Sequence, residues 1–161
     1  MFHAKIKSSK IKDLSEIIAD LDLSYNHYYD PRFYPPSNTD KEIQLGYFIA
    51  MVAIDHRTSN LLGRFEGTID FLLRDIGTKT LEYFDGRFTK LLNVSTITQL
   101  IDRLAHFRAY EDPVQKKIFL LAKFLYGRGL VLFKDRENFE VAVDNHLSRI
   151  AIRIGIVELS D

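Results

Sequence analysis

The chain contains no cysteine. That absence removes disulfides, thiol nucleophiles, zinc ribbons and thiolate-bound iron–sulfur clusters, and it fits a soluble protein of a reducing, cytoplasmic compartment. An excess of either charge is also missing. Lys plus Arg and Asp plus Glu each number 22, so no global field draws the molecule to nucleic acid. No apolar run is long enough to cross a bilayer, and the longest, 47–54, is too short even for a signal-peptide span, so no membrane partner is expected. Glycine and proline never cluster into a linker, and there is no repeat or low-complexity tract. The first twelve residues are basic without an apolar stretch behind them, which reads as a native amino terminus.

What is present is enough for a core. With 161 residues, 46% of them hydrophobic, the chain predicts a single domain over 1–161 that needs no structural metal. The periodicity predicts an all-α fold. Ile11, Leu14, Ile17, Ile18 and Leu21 recur at three- and four-residue steps, giving a helix over 11–21 with one apolar stripe. An aromatic, proline-stiffened stretch follows, holding Tyr25, Tyr28, Tyr29, Phe33 and Tyr34 among Pro31, Pro35 and Pro36. These rings pack the loop onto the core or, in a nucleotide-flipping enzyme, stack on an extruded base.

Thr39 with Glu42 reads as a capping box for a helix over 39–54 that is apolar nearly all round and so belongs at the centre. It ends in the polar cluster Asp55, His56 and Arg57. Further helices are expected over 67–76, 79–91 and 96–107. Asp112 and Pro113 read as the N-cap and first residue of a helix with Val114, Ile118, Leu121 and Leu125 on its buried face, stopped by Gly127 and Gly129. A last helix is expected from Asp144 to Gly155, burying Leu147, Ile150, Ala151 and Ile154. The segments 130–133 and 139–143 read as buried connections, because nothing else in the chain reads as a sheet.

Charge gathers locally. Between Arg108 and Arg136 stand seven basic residues (Arg108, Lys116, Lys117, Lys123, Arg128, Lys134, Arg136) against three acids (Glu111, Asp112, Asp135), a surplus of four. Such a patch suits phosphates, and equally suits a solvated helix face.

The most specific text is 141–157, where an apolar run leads into Asp144, His146 and Arg149, followed by Arg153 and Gly155. This order resembles the stretch after the hairpin in the helix-hairpin-helix DNA glycosylase superfamily, in which the aspartate is catalytic. Upstream, Gln115 and Lys116, with Lys123 seven residues later, resemble the lysine-bearing helix of the archaeal 8-oxoguanine glycosylase/lyase branch. The resemblance covers 108–161. It implies a single helical domain related to the glycosylase fold, acting on duplex DNA in base excision repair to remove a damaged purine. Lys116 and Asp144 would be the catalytic pair, with Lys116 forming the Schiff base of a β-lyase step. Lys123, Arg128, His146 and Arg149 would contact DNA, and no metal or organic cofactor is implied.

Each assignment has a plainer alternative. Asp144 is also the natural N-cap of its helix, where a carboxylate meets free amides and the positive end of the dipole. A helical wheel sets Lys116 and Lys123 opposite the apolar stripe and Lys117 at its edge, so desolvation favours Lys117 as the amine while the resemblance favours Lys116. Asp55 and His56 with Asp144 and His146 have no metal-ligand spacing. Two other functions fit the same text. One is a non-catalytic relative that binds nucleic acid or protein, favoured by net neutrality and by the absence from 125–141 of the glycine-rich hairpin loop usual in the superfamily. The other is an N-glycosidase acting on a free nucleoside.

Overall fold

The two ends of the chain meet in an antiparallel pair of strands, β1 (His3–Ile6) and β2 (Val157–Ser160), with His3 opposite Ser160 and Ile6 opposite Val157. The structure is a computed structural model that describes residues 3–21, 30–54, 70 and 72–160. Between the strands the described chain is mostly helical: α1 (Ser8–Ala19), α2 (Lys41–Ile54), α3 (Thr78–Phe84), α4 (Phe88–Leu91), α5 (Ile97–Leu104), α6 (Lys116–Gly127) and α7 (Asn145–Arg153). A π-helical turn at Leu73–Gly77 leads into α3, and 3-10 turns lie at Arg108–Tyr110 and Arg136–Asn138. The sheet is absent from the sequence reading, because each strand is four residues long and its partner lies at the far end of the chain. The segments 130–133 and 139–143 are connections, as expected, but only Val131 and Phe133 among them are buried; Leu132, Val141 and Val143 are exposed.

One domain was expected over 1–161. By its contacts the chain divides into two compact units, Met1–Asn26 with Val143–Asp161, and His27–Ala142. The larger unit holds the core. Leu45, Phe48, Ile49, Val52 and Ala53 of α2 are buried, as its all-round apolar sequence requires. Phe48 stacks on Phe124 of α6 at 5.4 Å between ring centroids, and Tyr34 meets Phe124 edge-on at 5.6 Å. Leu100 and Leu104 of α5 and Leu121, Ala122 and Leu125 of α6 complete that core without measurable exposure. Gly46 lets α4 approach α2, since a Cβ there would lie 2.8 Å from Cε2 of Phe88. The Tyr110 hydroxyl donates to the Ile49 carbonyl at 2.7 Å, and burial pushes its pKa well above the usual tyrosine value.

Several helix ends differ from the sequence reading. Asp40, one residue after Thr39, caps α2 by accepting the Glu42 amide at 2.8 Å. Glu42 crosses to α4, where it accepts from the amides of Phe88 and Thr89. Partial burial raises this carboxyl, but the Thr89 amide and hydroxyl, the Phe88 amide and the Arg87 charge outweigh it and hold it below the usual glutamate value. The expected helix over 79–91 is two helices, broken where Asp85 (φ 52°) and Gly86 (φ 69°) both turn left-handed. Asp112 and Pro113 form a turn ahead of α6, which starts three residues later than expected, so Val114 is exposed. Asp112 still caps that helix: its Oδ2 accepts the Lys116 amide at 2.9 Å.

In the smaller unit the predicted periodicity is present but the predicted burial is not. No described residue there is buried. Ile17 is 59% exposed, Leu147 40%, Ile150 50% and Ile154 43%. The helices form close to where expected, α1 starting three residues earlier and ending at Ala19, but their apolar stripes are largely exposed.

Candidate functional site

The candidate residues lie on two helices, α6 of the larger unit and α7 of the smaller. At the start of α7, Asp144 has extended backbone (φ −135°, ψ −176°), and its Oδ1 accepts from the amides of His146 and Leu147, both at 2.9 Å. This is N-cap geometry, and the expectation that Asp144 starts the helix holds. His146 and Arg149 are both exposed on the same helix. Arg153, which the sequence reading left without a role, joins them on one face, at i, i+3 and i+7. Among the described residues, none of these three forms an ion pair.

Lys116 is the first residue of α6 and is half-buried. Gln115 before it sits in the left-handed region (φ 53°, ψ 25°), a conformation strained for a side chain larger than glycine. The residue after it has another task. Lys117 is 8% exposed, and its Nζ donates to the carbonyls of Ala53 at 2.7 Å and Ala109 at 2.6 Å. Ala53 lies in the last turn of α2, where carbonyls lack intrahelical partners and the helix dipole favours a cation. Lys117 is thus a helix C-cap that also ties α2 to the turn Arg108–Tyr110. It was a candidate amine because it is desolvated, and the structure matches that desolvation with two carbonyl oxygens.

Arg128 requires a correction as well. It was expected on a DNA-binding surface, yet it is 6% exposed. Its Nη2 donates to the Pro35 carbonyl and to Oε1 of Gln44, both at 2.7 Å, and its guanidinium lies over Phe48 at 5.8 Å. Gln44 is itself buried and donates to the Thr39 carbonyl at 2.7 Å, so the pair pins the 35–39 segment. With Lys117 and Arg128 inside, the basic patch of Arg108–Arg136 shrinks to five residues against three acids. Lys123, half-buried one face away from the core, remains; burial lowers its ammonium below the usual lysine value.

The sequence reading also missed a buried carboxylate. Asp75, in the π turn, is 5% exposed and accepts the amides of Arg108 at 3.1 Å and Ala109 at 2.7 Å, while Lys79 pairs with it at 2.9 Å. The i,i+4 spacing of Asp75 and Lys79 was the available signal. The two amide hydrogen bonds hold the 108–110 turn and the Lys79 pair fixes the carboxylate, so Asp75 has a structural role.

Tyr25, Tyr28, Tyr29 and the cluster Asp55, His56 and Arg57 lie outside the described residues. Among the described residues, no group of three or more His, Asp or Glu side chains could hold a metal, and no helix is long and apolar enough to cross a membrane. No protein-family model matches the chain, and neither does any curated protein or solved structure.

Proposed function

We propose that the protein is a DNA N-glycosylase that removes a damaged purine, with Asp144 as the carboxylate at the reacting sugar and Lys116 as the amine of an associated β-lyase step. The observation that carries this reading is the first half of α7, where one helix offers chemistry and binding together. Asp144 is held by hydrogen bonds from two backbone amides at the positive end of the helix, which favours negative charge there, while His146 and Arg149 stand exposed beside it. Phosphates held by those bases bring the sugar of an extruded nucleotide toward the carboxylate. Asp144 then stabilises the oxocarbenium-like sugar or accepts the proton of the attacking nucleophile.

In the lyase step the unprotonated Nζ of Lys116 attacks C1′. The N-glycosidic bond breaks with its electron pair leaving on the base, which takes up a proton, and the nitrogen, now bonded to C1′, loses one of its protons. The C1′–O4′ bond then breaks as the nitrogen lone pair forms the C=N bond of the protonated Schiff base, and O4′ keeps the bonding pair and takes up a proton as the sugar ring opens. Lys123, seven residues along α6, is the second lysine and a phosphate contact. No metal or organic cofactor is needed for these steps.

The decisive variant is Asp144→Asn, because asparagine caps a helix as well as aspartate does. Fold and DNA affinity should persist, while single-turnover excision falls by about 10²–10⁴-fold. Excision at the wild-type rate would refute the catalytic role. Borohydride should trap the wild type on DNA holding an abasic or oxidised purine site, and Lys116→Gln should abolish trapping. Duplex binding without excision or trapping would leave the non-catalytic reading standing. Cleavage of a free nucleoside with no duplex affinity would leave the nucleoside reading.

A further inference from the structure

The uncovered stripes of α1 and α7 carry matching charge. On α1 and the turn that follows it, the acids Asp13, Glu16 and Asp20 recur at i, i+3 and i+7, each one position before an apolar residue, Leu14, Ile17 and Leu21. On α7 and its cap the bases His146, Arg149 and Arg153 recur at i, i+3 and i+7, each one position before Leu147, Ile150 and Ile154. At 3.6 residues per turn each charged row spans an arc of about 60°, beside its apolar row. All six charged residues are exposed, and none forms an ion pair among the described residues.

We infer that the protein associates with a second copy of itself through reciprocal packing of α1 of each copy, antiparallel, against α7 of the other. The direction follows from handedness. On both helices the charged row precedes the apolar row by one residue, so it lies on the same hand of that row. Only antiparallel packing then brings the two charged rows to one side of the apolar seam. The register follows from helix rise. With Asp13 level with Arg153, Asp20 meets His146 and Glu16 meets Arg149 to within about 1.5 Å along the axis. In the same register Leu14, Ile17 and Leu21 face Ile154, Ile150 and Leu147 to within about 3 Å along the axis. A second copy is the occupant because the seam is not made within one chain: Ile17, Leu21, Leu147, Ile150 and Ile154 are each 40–59% exposed. One patch holding both halves of a complementary pair is self-complementary, which a two-fold dimer requires.

The test is oligomeric state, measured by sedimentation velocity on the full chain with far-UV circular dichroism to check folding. The wild type should dimerise, reaching twice 18.7 kDa. Glu16→Arg and Arg149→Glu, each at an exposed site, should each raise the dimer dissociation constant by about tenfold or more, because like charges then face each other in both seams. Mixing the two variants should restore dimers, since in one seam the two reversed charges meet as an opposite pair and the other seam keeps the native pair. A monomeric wild type at every concentration would overturn the inference. So would a dimer indifferent to both reversals, which would use another face. Dimers lost in each variant and absent from the mixture would also overturn it, since pairing within one chain cannot be rescued in trans.

Discussion

Lys117→Met keeps the aliphatic stem and removes only the ammonium, which makes it a direct test of which lysine is structural. The ammonium donates to two carbonyls, of Ala53 and Ala109, whose residues are both about 3% exposed. A hydrogen bond from a charged donor contributes about 1.5–3 kcal/mol net, and a buried carbonyl left unmatched costs about 1–3 kcal/mol. Against this, the variant no longer has to desolvate a charge. The balance is a loss of about 3 kcal/mol. For a chain of this size that lowers the thermal midpoint by roughly 6–12 °C. Lys116→Gln, at a half-buried position on the first turn, should stay within about 0.5 kcal/mol of wild type. Urea unfolding followed by circular dichroism gives both numbers, and trapping on abasic DNA gives the second axis. The expected pattern is crossed: Lys117→Met is unstable but traps when folded, and Lys116→Gln is stable but does not trap. If Lys117→Met unfolds at the wild-type midpoint and fails to trap, the capping account is wrong and the amine is Lys117.

Other expectations follow from the same geometry. At position 115, glycine should be more stable than valine by about 1–2 kcal/mol, because the left-handed backbone excludes a β-branched side chain; equal urea midpoints would remove the strain. Glu42→Gln should cost about 1 kcal/mol at neutral pH through the lost cap on α4. Its carboxyl is depressed on folding, so that contribution is present above the unfolded value near 4.3 and lost as pH falls through the folded one; variant and wild-type stabilities should converge in acid, and a gap that persists there would reject the ionic cap. Arg128→Met should lower stability by about 2–3 kcal/mol while the salt dependence of DNA binding is unchanged, since its guanidinium lies inside; a shallower salt slope would return it to the DNA surface. Duplex DNA and a second copy compete for Arg149, so duplex at low salt should raise the monomer fraction; equal binding to monomer and dimer would remove Arg149 from the DNA contacts.

Much of the larger unit was legible in the sequence because its signals are local. The central helix follows from Leu45, Phe48, Ile49 and Val52, and the start of α5 from Thr96, whose hydroxyl accepts the Gln99 amide. What escaped was partnership across the chain. Glu42 satisfies the local spacing of a capping box yet caps a helix 46 residues away. Asp135, in a stretch that reads as loop, caps α5 through the Ile97 amide at 2.9 Å. Arg128 looks like surface charge, and Lys117 like a desolvated amine, until the carbonyls that receive them are known. For the candidate site, the Asp144 cap was legible because a cap is a local feature. The choice between Lys116 and Lys117 was not, because it depends on α2 carbonyls more than sixty residues earlier. The stripes of α1 and α7 were legible as stripes, but periodicity predicts an apolar face without specifying what covers it.

The pairing of His3 with Ser160 has a consequence for synthesis. The larger unit is encoded without interruption between the two halves of the smaller one, so it can fold while the ribosome is still working. Residues 3–6 cannot find their partners until 157–160 have emerged. At about 5–20 residues per second that interval lasts roughly 8–30 s. Throughout it the nascent chain carries an unpaired strand directly ahead of α1. A chaperone that recognises short apolar helices would meet this segment first. Joining the two ends by circular permutation would place both halves of the smaller unit side by side and shorten the exposure to the time of a single hairpin closure.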